Sequence, residues 1–128
     1  VRGQPPHGPP VGFVGYKIAR EFDRQIDAER RARLGGMSTL GCAGVEYLEI
    51  LSGRASFSLY RTTKPWDHAA GTLMLTEAGG GAVQFSGSPY APEQPLHNGL
   101  IAASSSEVLA EVRSLFDAVR MPLLAPRN

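Results

Sequence analysis

From Ile18 to about Arg33 the apolar residues Ile18, Phe22 and Ile26 recur at every fourth position among charged neighbours, and Gly35-Gly36 stops the pattern. The spacing predicts an amphipathic helix with a solvated, Arg-rich outer face. Before it, Val11 to Lys17 has short β-type apolar content and reads as a strand weakened by its glycines. After it, Met37 to Leu40 reads as a short strand, and Gly41-Cys42-Ala43-Gly44 opens a second helix running to about Ser52, with Gly53 as its C-cap. From Arg54 to Tyr60, Ala55, Phe57 and Leu59 alternate with polar partners, the period of a strand with one buried face. Pro65 stands where a helix tolerates proline, at its start, and Trp66, Ala69, Ala70 and Leu73 follow at helical spacing until Gly79-Gly80-Gly81. Ala82 to Ser86 reads as a strand, Gly87 to Asn98 as a proline-rich loop, and Leu100 to Ala103 as a buried strand. Finally, Ser104-x-x-Glu107 has the form of a capping box. Val108, Val112, Leu115, Phe116 and Val119 supply the apolar stripe of a last helix.

Strands separated by helices of this length predict an α/β domain, a layered sheet of four to five strands with about four helices. Residues 1–10 hold four of the ten prolines and read as a loose arm or linker end; residues 11–121 make the single domain and 122–128 a tail. A chain of 128 residues forms one core rather than two, and 42% hydrophobic with 20% charged residues is ordinary for a globular protein.

Charge removes several function classes. The net charge is +1, and the Arg-rich segment is interleaved with Glu21, Asp23, Asp27 and Glu29, so it is a mixed-sign face without the basic footprint of a nucleic-acid binder. The single cysteine, Cys42, excludes an intramolecular disulfide and favours the cytoplasm. No apolar run reaches the ~18 residues of a membrane span, and the N-terminal residues lack a signal-peptide core. Residue 1 is Val, which is expected of a chain trimmed or cut from a longer one.

The stretch Lys64-Pro-Trp-Asp-His-Ala-Ala-Gly71 carries the most chemistry. Asp67 falls in the first turn of its helix, where the unpaired N–H groups and the dipole favour an anion, and a carboxylate there is a good ligand for a hard cation. The plainer reading is that Asp67 stabilises the helix start. His68 takes a different side of the same helix and reads as a packing or surface residue rather than a base. His7 and His97 sit in loops without metal-ligand spacing, Trp66 reads as core, and no Lys-Ser/Thr follows the glycine run that would make it a phosphate loop.

Lys64 to Gly71, followed by Glu77-Ala-Gly-Gly80, resembles the C-terminal signature of the inositol monophosphatase family of Mg2+-dependent, lithium-sensitive phosphomonoesterases. The resemblance extends upstream through Gly41-Cys-Ala-Gly-Val-Glu-Tyr-Leu-Glu-Ile-Leu-Ser-Gly-Arg54 and downstream through Gly99-Leu-Ile-Ala-Ala-Ser104, about residues 35 to 119. It implies that Asp67 is a metal ligand and that Gly41, Cys42 and Ala43, at the head of a glycine-led helix, line the substrate pocket. Three departures accompany it. Inositol-specific members carry, seven positions before the aspartate, a glutamate that contacts a substrate hydroxyl; that position here is Tyr60, whose phenol donates a hydrogen bond without a carboxylate's charge. Cys42 replaces a hydroxyl residue. The family's upstream glutamate and Asp-Pro-x-Asp-Gly motif, which supply most metal ligands and hold the catalytic water, do not occur in the sequence.

One carboxylate cannot build a two-metal phosphoryl-transfer site. The chain therefore reads as the C-terminal half of an Mg2+-dependent phosphatase acting on a sugar or inositol-type phosphate monoester, inactive by itself. Asp67 would hold metal, and Gly41, Cys42, Ala43 and Tyr60 would contact substrate. A missing N-terminal half or second subunit is the expected partner, in a homodimer that covers the exposed surface, with no nucleic acid or membrane involved. The alternative is a non-catalytic α/β module used for oligomerisation or ligand binding.

Overall fold

The computed structural model describes residues 8–61, 65–85, 87–90 and 99–117, and of residues 65–67 only the helical backbone. The elements follow in the order β1 (Val11–Val14), α1 (Tyr16–Gln25), α2 (Ala28–Arg31), β2 (Gly36–Ser38), α3 (Ala43–Leu51), β3 (Phe57–Tyr60), α4 (Pro65–Glu77), β4 (Gly81–Gln84), β5 (Leu100–Ala103) and α5 (Ser106–Asp117). The strands form one mixed sheet in the order β2-β1-β3-β5-β4. β1 runs parallel to both β2 and β3, whereas β5 is antiparallel to β3 and β4. The architecture is the expected α/β layering.

Both faces of the sheet are covered, and the pleat sorts its side chains between two cores. On one side Val14, Phe57, Leu59, Ile101 and Ala103 meet Ile18 and Phe22 of α1 and Val112, Leu115 and Phe116 of α5. On the other, Phe13 and Ala102 meet Tyr47 and Ile50 of α3 and Leu75 of α4. Adjacent residues alternate between the cores because successive side chains of a strand point to opposite faces. The rings of Phe22 and Phe116 stack with centroids 4.5 Å apart and join the two helices of the first layer.

Four details depart from the sequence reading. The first helix does not run unbroken to Arg33: Ile26 is extended, and Asp27 accepts the Arg30 N–H at 2.8 Å, capping the short α2. A good N-cap residue inside an apolar repeat ends one helix and starts another. β3 is buried on both faces, Ser58 included, since α3 covers the side that alternation left polar. In α4 His68, Thr72 and Leu75 are buried, whereas Leu73, which shares the apolar spacing, is 60% exposed. The last helix is capped by Ser105, whose Oγ accepts the Val108 N–H at 3.1 Å; Ser104 is buried, and its Oγ has no hydrogen-bond partner among the described residues. Val119, the prolines of residues 91–98 and the two ends of the chain lie outside the described residues.

The Arg-rich face carries a long-range tie. Arg33 donates to both carboxylate oxygens of Glu111 on α5, at 2.9 and 2.7 Å, in the two-pronged geometry that suits guanidinium and carboxylate. Arg24 and Arg31 pair locally with Glu21 and Asp23.

Candidate functional site

The carboxyl ends of β1 and β3 open beside the start of α3, and the space between them is a cavity of about 510 Å3. Gly41, Cys42, Ala43 and Tyr60 all border it. The four residues assigned to substrate by resemblance thus come together from two separate elements. The geometry begins with the turn before α3. Gly41 has a φ of +71°, the left-handed region that a side chain disfavours, so glycine permits the chain to swing into the helix there. Cys42 follows as N-cap residue in extended conformation and is exposed. Ala43, the first helical residue, keeps the cavity wall low. Lys17 and Arg61 bring cationic side chains to the same cavity.

Tyr60 reaches the wall as the last residue of β3. Its hydroxyl donates to Glu46 Oε1 at 2.9 Å. Glu46 is buried in the first turn of α3, and its other oxygen accepts the backbone N–H of Leu40 at 3.0 Å, with the Thr39 hydroxyl at 3.5 Å. The carboxylate therefore ties the turn before α3 to the helix and to β3. Burying an anion is costly without such partners. No motif marks Glu46 in the sequence; what points to it is its spacing, three residues after Ala43 on a helix and hence on the same side.

Behind this wall stands an aromatic group. The Tyr47 hydroxyl and His68 Nδ1 share a hydrogen bond of 2.8 Å, and the His68 ring stands edge-on to Tyr60 with centroids 4.5 Å apart. His68 is 4% exposed, so of the two expectations, packing or surface, it is a packing residue, held by a polar partner that spacing could not reveal. Burial is the main influence on the Tyr47 and Tyr60 phenols and raises both well above their ordinary range. Both remain protonated, which keeps Tyr60 a donor to Glu46. Gly71 makes the close approach of α4 to α3: a Cβ there would lie 2.6 Å from Tyr47 Cγ.

Asp67 is the third residue of α4, and its side chain lies outside the described residues, as do His7 and His97. Among the described residues no three His, Cys, Asp or Glu side chains cluster to hold a metal ion. The described side chains do not by themselves make a metal centre. Nor is any helix among the described residues long and apolar enough to cross a membrane.

Comparison with known proteins bears on the whole arrangement. The model of the inositol monophosphatase family matches residues 15–119. The chain is 34% identical over 105 residues to the fructose-1,6-bisphosphatase/inositol-1-monophosphatase of Thermotoga maritima, covering 80% of this chain and 38% of the relative. It is 31% identical over 71 residues to the inositol-1-monophosphatase of Bacillus subtilis, covering 56% of this chain and 27% of that one. Among solved structures, the Thermotoga maritima IMPase superposes with a TM-score of 0.71 at 22% identity, over 91% of this chain and 44% of the other. Staphylococcal IMPase-II gives a TM-score of 0.73 at 15% identity, over 91% and 47%. These two likenesses establish the fold, and in every one of the four the chain spans less than half of its relative's length. The matched segment runs from the start of α1 to the end of the described helices and contains the turn, the cavity wall and α4, so this chain belongs to the inositol monophosphatase family.

Proposed function

We propose that this chain forms the leaving-group side of a phosphatase that hydrolyses a sugar or inositol-type phosphate monoester. The observation that carries the reading is the convergence of Gly41, Cys42, Ala43 and Tyr60 on one cavity. In this reading the cavity takes the alcohol part of the substrate, and Lys17 and Arg61 offset the charge of the ester. Asp67 is assigned as one ligand of Mg2+. A two-metal phosphoryl-transfer site needs several oxygen ligands, so the others, and the group that activates water, come from a segment or subunit outside these 128 residues. The chain alone is inactive.

Val45 and Leu48 of α3 and Leu73 and Met74 of α4 are 42–60% exposed. An apolar patch of this kind favours association, and a second copy is the proposed cover. A clean monomer in gel filtration at high concentration would refute that assignment. With a single cysteine, Cys42, the protein is assigned to the reducing cytoplasm.

The test of the catalytic reading is to express the longest reading frame that contains these residues and measure Mg2+-dependent phosphate release from inositol and sugar phosphates. Turnover is expected, with Asp67→Asn weakening Mg2+ affinity severely while the fold survives. Absence of turnover in the longest frame would instead leave a binding or oligomerisation module.

A further inference from the structure

The tyrosine at position 60 leaves the cavity without the carboxylate that the family resemblance leads one to expect there, but the cavity does not lack a carboxylate. Glu46 borders it, 4% exposed, from the facing element α3. Oε1 accepts from the Tyr60 hydroxyl at 2.9 Å, and Oε2 from the Leu40 N–H at 3.0 Å and the Thr39 hydroxyl at 3.5 Å, so one acceptor position is used on Oε1 and two on Oε2. A carboxylate has about four such positions, so one remains, on Oε1, at a group held rigid on both sides. On its helix Val45, Tyr47 and Leu48 are uncharged, and Glu49, three residues on, is paired with Arg54.

We propose that Glu46 is the specificity-determining acceptor of this cavity, reading a free hydroxyl of the leaving group, and that Tyr60 is its positioning residue. The inference rests on the reading of the cavity as the leaving-group site. The carboxylate disfavours the phosphate at its own end of the cavity and accepts from the polyol there, so the ligand it fits is a monoester whose alcohol carries a second hydroxyl near the ester. An alcohol without that hydroxyl would leave the buried acceptor unpaired on binding, the situation in which polar sites discriminate most strongly.

The experiment is an NMR titration of the 15N-labelled chain with myo-inositol 1-phosphate and with cyclohexyl phosphate, which keeps the ring and the ester but has no free hydroxyl on the ring. The amides of Leu40, Gly41, Cys42 and Ala43 report binding. The wild-type chain is expected to prefer the inositol ester by about tenfold, the effect of one hydrogen bond to a charged acceptor. Glu46→Gln, which keeps size, holds the Leu40 N–H on its amide oxygen and turns its NH2 to the Tyr60 oxygen as a donor, should bring that ratio close to one. Glu46→Asp, which keeps the charge but draws it back, should lower it less, and Tyr60→Phe should lower it in part. Each ratio is taken within one protein, so a change in stability alone does not move it. Equal affinity for the two esters in the wild-type chain, or an undiminished preference in Glu46→Gln, overturns the role of Glu46. If neither ester shifts these amides in the wild-type chain, the reading of the cavity falls, and the inference falls with it.

Discussion

Replacing Gly71 by alanine tests the packing of α4 on α3, on which the back of the cavity depends. In an open helix the change would stabilise by roughly 1 kcal/mol, because glycine is the poorer helix former. At this position the new Cβ would lie 2.6 Å from Tyr47 Cγ and 2.7 Å from Cε2, where ordinary contact begins at 3.4 Å. The ring, 1% exposed and pinned through its hydroxyl to His68, must move by nearly an ångström. Overpacking of this sort costs about 1–3 kcal/mol, and the strained hydrogen bond adds about 1 kcal/mol. Set against the helix gain, the net loss is about 2 kcal/mol, which lowers Tm by roughly 6–10 °C for a domain of this size. The assay is thermal unfolding followed by circular dichroism, with Gly44→Ala as the internal control. A Cβ at Gly44 meets nothing within 4 Å, so that variant should be as stable as the parent or up to about 1 kcal/mol better. If Gly71→Ala melted at or above the wild-type temperature, the close approach of the two helices described above would be wrong.

Two further predictions concern pH. Burial raises the Tyr47 and Tyr60 phenols above their ordinary value of 10.0, so the folded state holds protons that the unfolded chain releases; the stabilisation is complete below pH 10.0 and declines as pH rises beyond it. Alkaline titration of phenolate absorbance should therefore show these two of the four tyrosines ionising only as the chain unfolds, and normal titration of all four in the folded state would contradict their burial. The hydrogen bond from Arg54 lowers the Glu49 carboxyl below its ordinary 4.5, so this pair supports the fold above that pH and ceases to as the pH falls through the lowered value. In melting curves taken across acidic pH, the difference between wild type and Glu49→Gln should be constant above pH 4.5 and shrink below it; a difference that grew toward acid would refute the pairing.

The layered fold was legible because its elements follow simple periods. The uninterrupted apolar run Leu100 to Ala103 appears as β5 over the same residues, since a strand buried on both faces needs no alternation. Where the reading failed, a long-range partner decided the outcome. Ser58 reads as the polar side of β3, yet α3 packs there and buries it. Leu73 stands in the apolar spacing of α4, but the face that meets Tyr47 carries Gly71 and Leu75, four residues apart, and leaves Leu73 exposed. The site divides in the same way. Gly41, Cys42, Ala43 and Tyr60 were recognisable from a motif, and they meet at one cavity. Glu46 carried no motif, because its bonds reach six residues back to Leu40 and fourteen ahead to Tyr60, across a turn and a strand that local spacing does not bring together.

The claim that these residues form one side of a divided catalytic site is tested most directly by phosphate release from the 128-residue chain itself, incubated with Mg2+ and myo-inositol 1-phosphate. A rate indistinguishable from the protein-free blank is predicted, because one assigned carboxylate ligand cannot place two cations on a phosphoryl group. Mg2+-dependent turnover comparable to that of a full-length relative would contradict it.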